Sequence, residues 1–467
     1  MSVDLTNVFC EKKVILLGAG VSNMPLARML SKMGARIEVR DKKTLEELGE
    51  AGAELVSLGA DLVLGDDYLS PMEGDFVFRS PGFRPDIPVL EKARENGICV
   101  TGEMEMFIEN APCPVIGITG SDGKSTTTTL VSKILEKQGE KKVFLGGNIG
   151  EPLLHRISDM DSDSIVAAEL SSFQLMTVSS PVTVAVIKNV TPNHLNWHTG
   201  MDEYIEAKAR ILKGAKRAVL SYDDEVCKSL ANECDCPVMW FSRKPIPEDE
   251  LKSCEGGVYP KDGYLVVYRT ESGCEERIVA LSDILLPGEH NIENYSTAIA
   301  ATLGYADKEA VASVAKTFGG VRHRLELVRE KNGVKYYNSS IDSSPTRTAA
   351  AISALSCPIN IICGGYDKNI PFEPLAEALI SSENIKSVVL TGATLEKIKA
   401  SLLAHPDFEG AGIALYEKPD FKEAVLCSSS AAREGECVLL SPACASFDAF
   451  KNFEVRGECF KEIVAGL

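Results

Sequence analysis

The chain has 467 residues, too many for one ordinary hydrophobic core, so two or three domains are expected. Its hydrophobic content of 45% and charged content of 25% belong to a folded globular protein and exclude a disordered one. A formal charge of -18 argues against a general nucleic-acid binder, yet one loop of backbone N–H groups can still hold a nucleotide phosphate.

The start, Met1-Ser2-Val3-Asp4-Leu5-Thr6, has neither a basic nor an apolar leader, and no later run reaches the roughly 18 apolar residues of a membrane span. A cytoplasmic location without membrane insertion is therefore expected, and the chain is taken as a monomer. The first segment alternates apolar strands with amphipathic helices: a strand at Val14–Leu17, the turn Gly18-Ala19-Gly20, a helix over 25–32 and a strand at Ile37–Val39 ending at Asp41. Ala111-Pro112-Cys113-Pro114 breaks the pattern as a linker. The second segment opens with a strand at Val115–Ile118, a glycine turn and a helix from Lys124, and adds strands over 165–168 and 182–187. Residues 245–282, with Gly256-Gly257 and Asp262-Gly263, predict hairpins or an irregular insert. Gly319-Gly320 marks the next boundary, and strands follow over 334–337, 359–362, 388–390 and 437–440. The pattern predicts an α/β fold class in three segments, 1–111, 112–319 and 320–467, with mostly parallel sheets. The 14 cysteines form no C-x-x-C pair and read as buried thiols in a reducing compartment.

The stretch Gly117-Ile118-Thr119-Gly120-Ser121-Asp122-Gly123-Lys124-Ser125-Thr126 carries the most chemistry. Gly120 and Gly123 let the backbone curl so that N–H groups, Ser121's among them, face phosphate oxygens. Lys124 brings a point charge to the β- and γ-phosphates, and the Ser125 hydroxyl suits Mg²⁺. Ile118 stands where the strict phosphate-loop pattern has its first glycine. An ordinary glycine turn before a helix is the competing reading. A metal-binding acid is needed at a neighbouring strand end, and Glu169 closes the run over 165–168. His194 lies on a loop after a buried strand, at the sheet edge where ligands bind. Lys208 follows Tyr204 by four residues on a helix over 201–212, and taken alone is a surface lysine. His198 reads as structural or exposed.

The loop over 117–126, Gly147-Asn148-Ile149-Gly150, Glu169–Gln174, His194, Leu286-Pro287-Gly288-Glu289-His290-Asn291 with Asn294, and His323-Arg324 resemble the Mur ligases of peptidoglycan synthesis. Residues 440–448, Phe450–Phe453 and Arg456-Gly457 resemble the D-glutamate-adding branch, and the likeness covers the whole chain in order. The resemblance implies three domains, a Rossmann-like domain over 1–111, a P-loop ATPase with a mostly parallel sheet over 112–319 and a Rossmann-like domain over 320–467, in which ATP and Mg²⁺ drive addition of D-glutamate to UDP-N-acetylmuramoyl-L-alanine through an acyl phosphate. It gives Ser125 and Glu169 to one Mg²⁺, and His194 with Lys208, carbamylated by CO₂, to a second. It places Asn148 near the reacting centre, and Thr126, Asn291, Asn294 and Arg324 at the nucleotide. It assigns Ser343, Lys368, Ser446 and Phe453 to D-glutamate, and Val21, Ser22, Asp41 and Gly82 to the uridine diphosphate. Four positions depart from the commonest pattern: Asp122, Asn193, Ser339 and Ile341, with Asp342 as a compensating carboxylate for Ser339. The alternatives are another amino-acid-adding Mur-type ligase, a folylpolyglutamate synthase, an NAD-dependent oxidoreductase built on Gly18-Ala19-Gly20, and a nucleotide-binding protein without turnover.

Overall fold

The computed structural model describes residues 3–195, 197–286, 288–368 and 370–467. Met1 and Ser2 of the start, Asn196 of the His194 loop, Pro287 of the 286–291 motif and Asn369 lie outside the described residues. The chain divides into two compact units, the first comprising 1–284 and 289–316, the second 285–288 and 317–467.

The first unit holds two sheets. One has five parallel strands, β1 (Lys13–Leu17), β2 (Arg36–Asp41), β3 (Asp61–Leu64), β4 (Phe76–Arg79) and β5 (Cys99–Thr101), in the order 3-2-1-4-5. Val14 and Leu16 of β1 face one apolar core while Ile15 and Leu17 face another, so the strand is buried on both sides. That two-sided burial explains why β1 is apolar at every central position, without alternation. The other sheet comprises β6 (Val115–Thr119), β7 (Lys142–Gly147), β8 (Ser164–Glu169), β9 (Val184–Ile187), β10 (Arg217–Ser221), β11 (Val238–Phe241), β12 (Gly256–Lys261), β13 (Tyr264–Arg269) and β14 (Cys274–Ala280). Its order is 14-13-12-11-10-9-6-8-7. Strands β6 to β12 are parallel, and β13 and β14 add an antiparallel edge. The region over 245–282 is therefore hairpin extension of the sheet.

In the second unit, β15 (Glu326–Lys331), β16 (Val334–Asn338), β17 (Ile359–Gly364), β18 (Ile385–Thr391), β19 (Ala414–Glu417) and β20 (Cys437–Leu440) form a sheet ordered 15-16-20-17-18-19. Only β15 runs antiparallel to its neighbour among these strands. Among the described residues no helix is long and apolar enough to cross a membrane.

Candidate active site

Strand β6, buried at all five positions, delivers the phosphate loop to the sheet edge. Gly120 and Gly123 have φ of +146° and +75°. A Cβ on Gly120 would stand 2.9 Å from Lys188 Cβ, and one on Gly123 would stand 2.7 Å from Asn294 Oδ1. Both sites thus require glycine for conformation and for space. Asn189 closes the turn, its Oδ1 accepting from the N–H groups of Ser121 (3.0 Å) and Asp122 (2.8 Å), so the Ser121 N–H expected to face a phosphate is instead turned to Asn189. The Ser121 hydroxyl lies 2.9 Å from Tyr204 Oη, tying the loop to the helix Met201–Ala209. Lys124 folds back to donate from Nζ to the carbonyls of Gly120 and Ser121, both at 2.9 Å. The helix Lys124–Gln138 begins here with Gly123 as N-cap, so Ser125 and Thr126 sit in its electropositive first turn.

Glu169, the last residue of β8, is 1% exposed. Asn148 Nδ2 donates to its Oε1 at 2.7 Å, and its Oε2 is buried without a hydrogen-bond partner among the described residues. An unmatched buried carboxylate oxygen is costly unless a cation or donor meets it. Gly147 is what brings Asn148 so close: at φ +99°, a Cβ there would meet the Glu169 carbonyl oxygen at 2.3 Å.

Lys208 is buried, not on the surface: it is 1% exposed, with Nζ 2.7 Å from the Gly120 carbonyl and 4.5 Å from the Tyr204 ring centroid. Burial, then the charge of Lys124, pulls its pKa down to about 7. A large neutral fraction at neutral pH follows. His194 is exposed at φ +55°, its ring edge-on to Phe173 at 5.0 Å. Partial burial and the two lysines hold its pKa below the usual value, which favours the neutral imidazole. His198 is buried at 3% exposure, with Nε2 2.9 Å from the Ser172 hydroxyl and Nδ1 3.0 Å from Glu203.

Two residues that carry no motif complete the floor of the loop. Lys188, directly after β9, is 1% exposed; its Nζ donates to Asn294 Oδ1 and pairs with Glu293 at 3.3 Å. Glu293 also meets Arg243 at 3.4 Å. Asn294 in turn donates to Asn291 Oδ1 at 2.9 Å, so both asparagines stand beside the loop on the helix Glu289–Thr302. A lysine closing an apolar strand was the available signal.

On the first sheet, Asp41 holds the glycine turn: its oxygens accept from the N–H groups of Ala19 (2.8 Å) and Lys43 (2.9 Å). Asn23, where a dinucleotide fingerprint has glycine, donates to the Gly18 carbonyl and to Ser80 Oγ (3.1 Å). The turn is thereby locked to the Ser80-Pro81-Gly82 loop. Val21 is 80% exposed at its tip and Ser22 is half-buried.

In the second unit, Ser446 is buried, Ser343 and Phe453 are half-buried, and Lys368 is exposed. Tyr366 N–H bonds the Ala445 carbonyl at 2.9 Å, which draws the Lys368 segment to Ser446. The buried Arg456 guanidinium donates to Ser340 and to the carbonyls of Cys444 and Ala445, and Ser340 Oγ donates to the Phe453 carbonyl. Arg324 and Asp342 belong to this unit as well; Asp342 is buried, accepts from Ser441 Oγ at 2.8 Å, and burial raises its pKa.

Among the described residues no group of three or more His, Cys, Asp or Glu side chains is placed to hold a metal ion by itself. Mg²⁺ needs few protein ligands, because it keeps waters and substrate phosphates in its shell. The unmatched Glu169 Oε2 fits such a cation.

A family model described as the Mur ligase middle domain matches residues 118–302, and one described as the Mur ligase, glutamate ligase domain, matches 323–444. The chain is 47% identical over 461 residues to the UDP-N-acetylmuramoylalanine--D-glutamate ligase of Clostridium novyi (strain NT), covering 98% of this chain and 97% of that protein. It is 44% identical over 457 residues to the protein of the same name from Clostridium perfringens (strain 13 / Type A), covering 97% and 96%. Among solved structures it is similar in fold to the UDP-N-acetylmuramate-alanine ligase MurC of Thermotoga maritima, with a TM-score of 0.57 at 19% identity, over 97% of this chain and 99% of that one.

Proposed function

The chain belongs to the Mur ligase family, and we propose that it is an ATP-dependent ligase adding D-glutamate to UDP-N-acetylmuramoyl-L-alanine in peptidoglycan precursor synthesis. The observation that carries this reading is a relationship at 47% identity that spans 98% of the chain. The family uses ATP and Mg²⁺, and the substrates imply a cytoplasmic location. A three-domain division at 111/112 and 319/320, following the three sheets, is part of the same reading.

The chemistry has two steps. A carboxylate is inert to an amine until one oxygen carries a leaving group, so the carboxylate of the nucleotide sugar attacks the γ-phosphorus of ATP and ADP departs. The amine of D-glutamate then attacks the carbonyl carbon of the acyl phosphate; the tetrahedral adduct loses a proton from nitrogen and expels phosphate. Lys124, now on the Gly120 and Ser121 carbonyls, is the mobile cation for the transferring phosphoryl group. Asn294, fixed by Lys188, and Asn291 stand ready for the nucleoside. Mg²⁺, when bound, offsets charge among the phosphate oxygens.

In the finer reading Ser125 and Glu169 hold one Mg²⁺, and His194 with Lys208 a second, Lys208 as its carbamate. Support comes from the lowered Lys208 pKa, since only a neutral amine adds to CO₂. Arg324 joins the nucleotide contacts, and Lys368, Ser446, Ser343 and Phe453 receive D-glutamate, the lysine as a point charge for a carboxylate. Val21, Ser22, Asp41 and Gly82 take the uridine diphosphate, with Asp41 acting through the turn it holds.

Phosphate release from ATP with UDP-N-acetylmuramoyl-L-alanine, compared across D-Glu, L-Glu, L-Ala, L-Lys and meso-diaminopimelate, tests the proposal. Release that requires both the nucleotide sugar and D-Glu is expected. Release with another amino acid in place of D-Glu would overturn the specificity.

A further inference from the structure

Strand β4 of the first sheet runs out into the Ser80–Asp86 loop, and this loop grips the segment that carries His194 and Lys208. Arg84 makes a fork on Glu203, Nη2 to Oε1 at 2.8 Å and Nη1 to Oε2 at 3.1 Å, while Nη1 also donates to the Trp197 carbonyl at 2.8 Å. The guanidinium carbon stands 5.2 Å from the Trp197 ring centroid. Two residues earlier, the Gly82 carbonyl accepts from Trp197 Nε1 at 3.0 Å. The loop itself is steadied by Asp86, which takes both Nε and Nη2 of Arg84.

Glu203 is more than an anchor. Its Oε2 also accepts from the Thr199 N–H at 2.9 Å and faces His198 Nδ1 at 3.0 Å. His198 reaches Ser172, three residues beyond Glu169, and Phe173 packs against His194, Trp197 and His198 at 5.0, 4.4 and 5.6 Å. Glu203 lies in the first turn of the helix that presents Tyr204 and Lys208. The Arg84 and Glu203 side chains are 21% and 20% exposed, so their bidentate pair is partly shielded and geometrically specific, unlike a mobile surface pair.

We infer that Arg84 is a positioning residue for the ligase reaction, its fork on Glu203 setting where the His194 loop and the Lys208 helix stand against the Ser80–Gly82 loop. The inference rests on the ligase reading above. Among the described residues Arg84 bonds Glu203, Trp197 and Asp86 and not the phosphate loop, so it acts through Glu203 and Trp197.

The test uses full-length Arg84→Met, Arg84→Lys, Glu203→Gln and the Arg84→Met/Glu203→Gln double variant. Each is measured for kcat, KM of the nucleotide sugar, Mg-ADP affinity and thermal midpoint. Displacing a reacting group by about 1 Å costs on the order of 100-fold, so Arg84→Met is expected to lower kcat roughly 10- to 100-fold. Mg-ADP affinity is expected to stay within about twofold of wild type, because the phosphate loop keeps all its contacts. Arg84→Lys, which keeps the charge but not the fork, falls between the two, and the double variant is no worse than Arg84→Met alone. The inference is overturned if Arg84→Met turns over within about twofold of wild type. It is also overturned if kcat and Mg-ADP affinity fall together with the thermal midpoint, or if the two single losses add. Should Arg84→Met not fold, Arg84→Lys and Glu203→Gln decide by the same split. Wild type run in parallel separates the premises: no D-glutamate-dependent release there sinks the ligase reading, whereas an active wild type with an unaffected variant sinks only the role of Arg84.

Discussion

Replacing Lys188 with methionine keeps an apolar stem under the phosphate loop and removes an ammonium that burial has driven below its usual pKa. Glu293, 12% accessible, is left with Arg243 at 3.4 Å. Removing one partner of a buried pair costs about 3–5 kcal/mol, and the retained Arg243 places this case at the lower end, about 3 kcal/mol. At roughly 2–4 °C per kcal/mol, the thermal midpoint should fall by about 6–12 °C. Asn294 Oδ1 also loses its strongest donor, which frees the amide to turn, and Mg-ADP should bind about tenfold more weakly. Differential scanning fluorimetry and calorimetric titration with Mg-ADP read the two effects separately. The Lys188→Met/Glu293→Gln double variant removes the stranded carboxylate and should regain most of the midpoint but not the nucleotide affinity. A midpoint within about 2 °C of wild type with unchanged Mg-ADP binding would refute the reasoning.

Glu169→Gln keeps an acceptor for Asn148 and removes the charge that the structure leaves unmatched. Mg²⁺-dependent turnover should fall by about 100-fold or more while the thermal midpoint holds, and unaltered turnover would remove Glu169 from the metal site. Glu103 is buried and accepts the Leu153 and Leu154 N–H groups, and burial raises its pKa to about 7. Its folded form therefore holds a proton that the unfolded chain releases near pH 4.5, so this contribution to stability is complete below that pH and is lost as pH rises through about 7. The expected loss is about 3 kcal/mol across that window, and urea unfolding of Glu103→Gln should show the slope removed. An unchanged slope would contradict it. A Cβ at Gly457 would stand 2.1 Å from His323 Nδ1, so Gly457→Ala must break the His323–Asn338 contact and should cost about 1–3 kcal/mol in urea unfolding. A wild-type midpoint would show that His323 yields freely.

Strands β1, β6, β17 and β20 were legible because they are apolar without interruption and buried at nearly every position, whereas β4, β10 and β11, also inside their sheets, were not read from the sequence. Edge strands were not. β3 and β19 are partly exposed, and Asp61 and Glu417 give them the look of loops. The phosphate loop was readable from Gly120, Gly123 and Lys124, because glycine spacing and a following helix are local facts. Lys208 was not readable on composition, since a lysine on a helix is ordinarily solvated; its burial comes from β6, Tyr204 and the Gly120 carbonyl arriving from elsewhere in the chain. Lys188, Glu293 and Arg84 were missed for the same reason. Their meaning lies in partners 105, 50 and 119 residues away, counted from Lys188 to Glu293, from Glu293 to Arg243 and from Arg84 to Glu203. Asn23 shows the reverse case: it stands where a dinucleotide fingerprint has glycine, and it is the clasp that joins the turn to Ser80.

The most direct test is to incubate the protein with ATP, Mg²⁺, UDP-N-acetylmuramoyl-L-alanine and isotopically labelled glutamate of either hand, and to weigh the nucleotide product. The account predicts that the nucleotide sugar gains one labelled D-glutamate residue as ADP and phosphate appear, with none gained from L-glutamate. Gain from L-glutamate, or ADP formed without any mass gain, would contradict it.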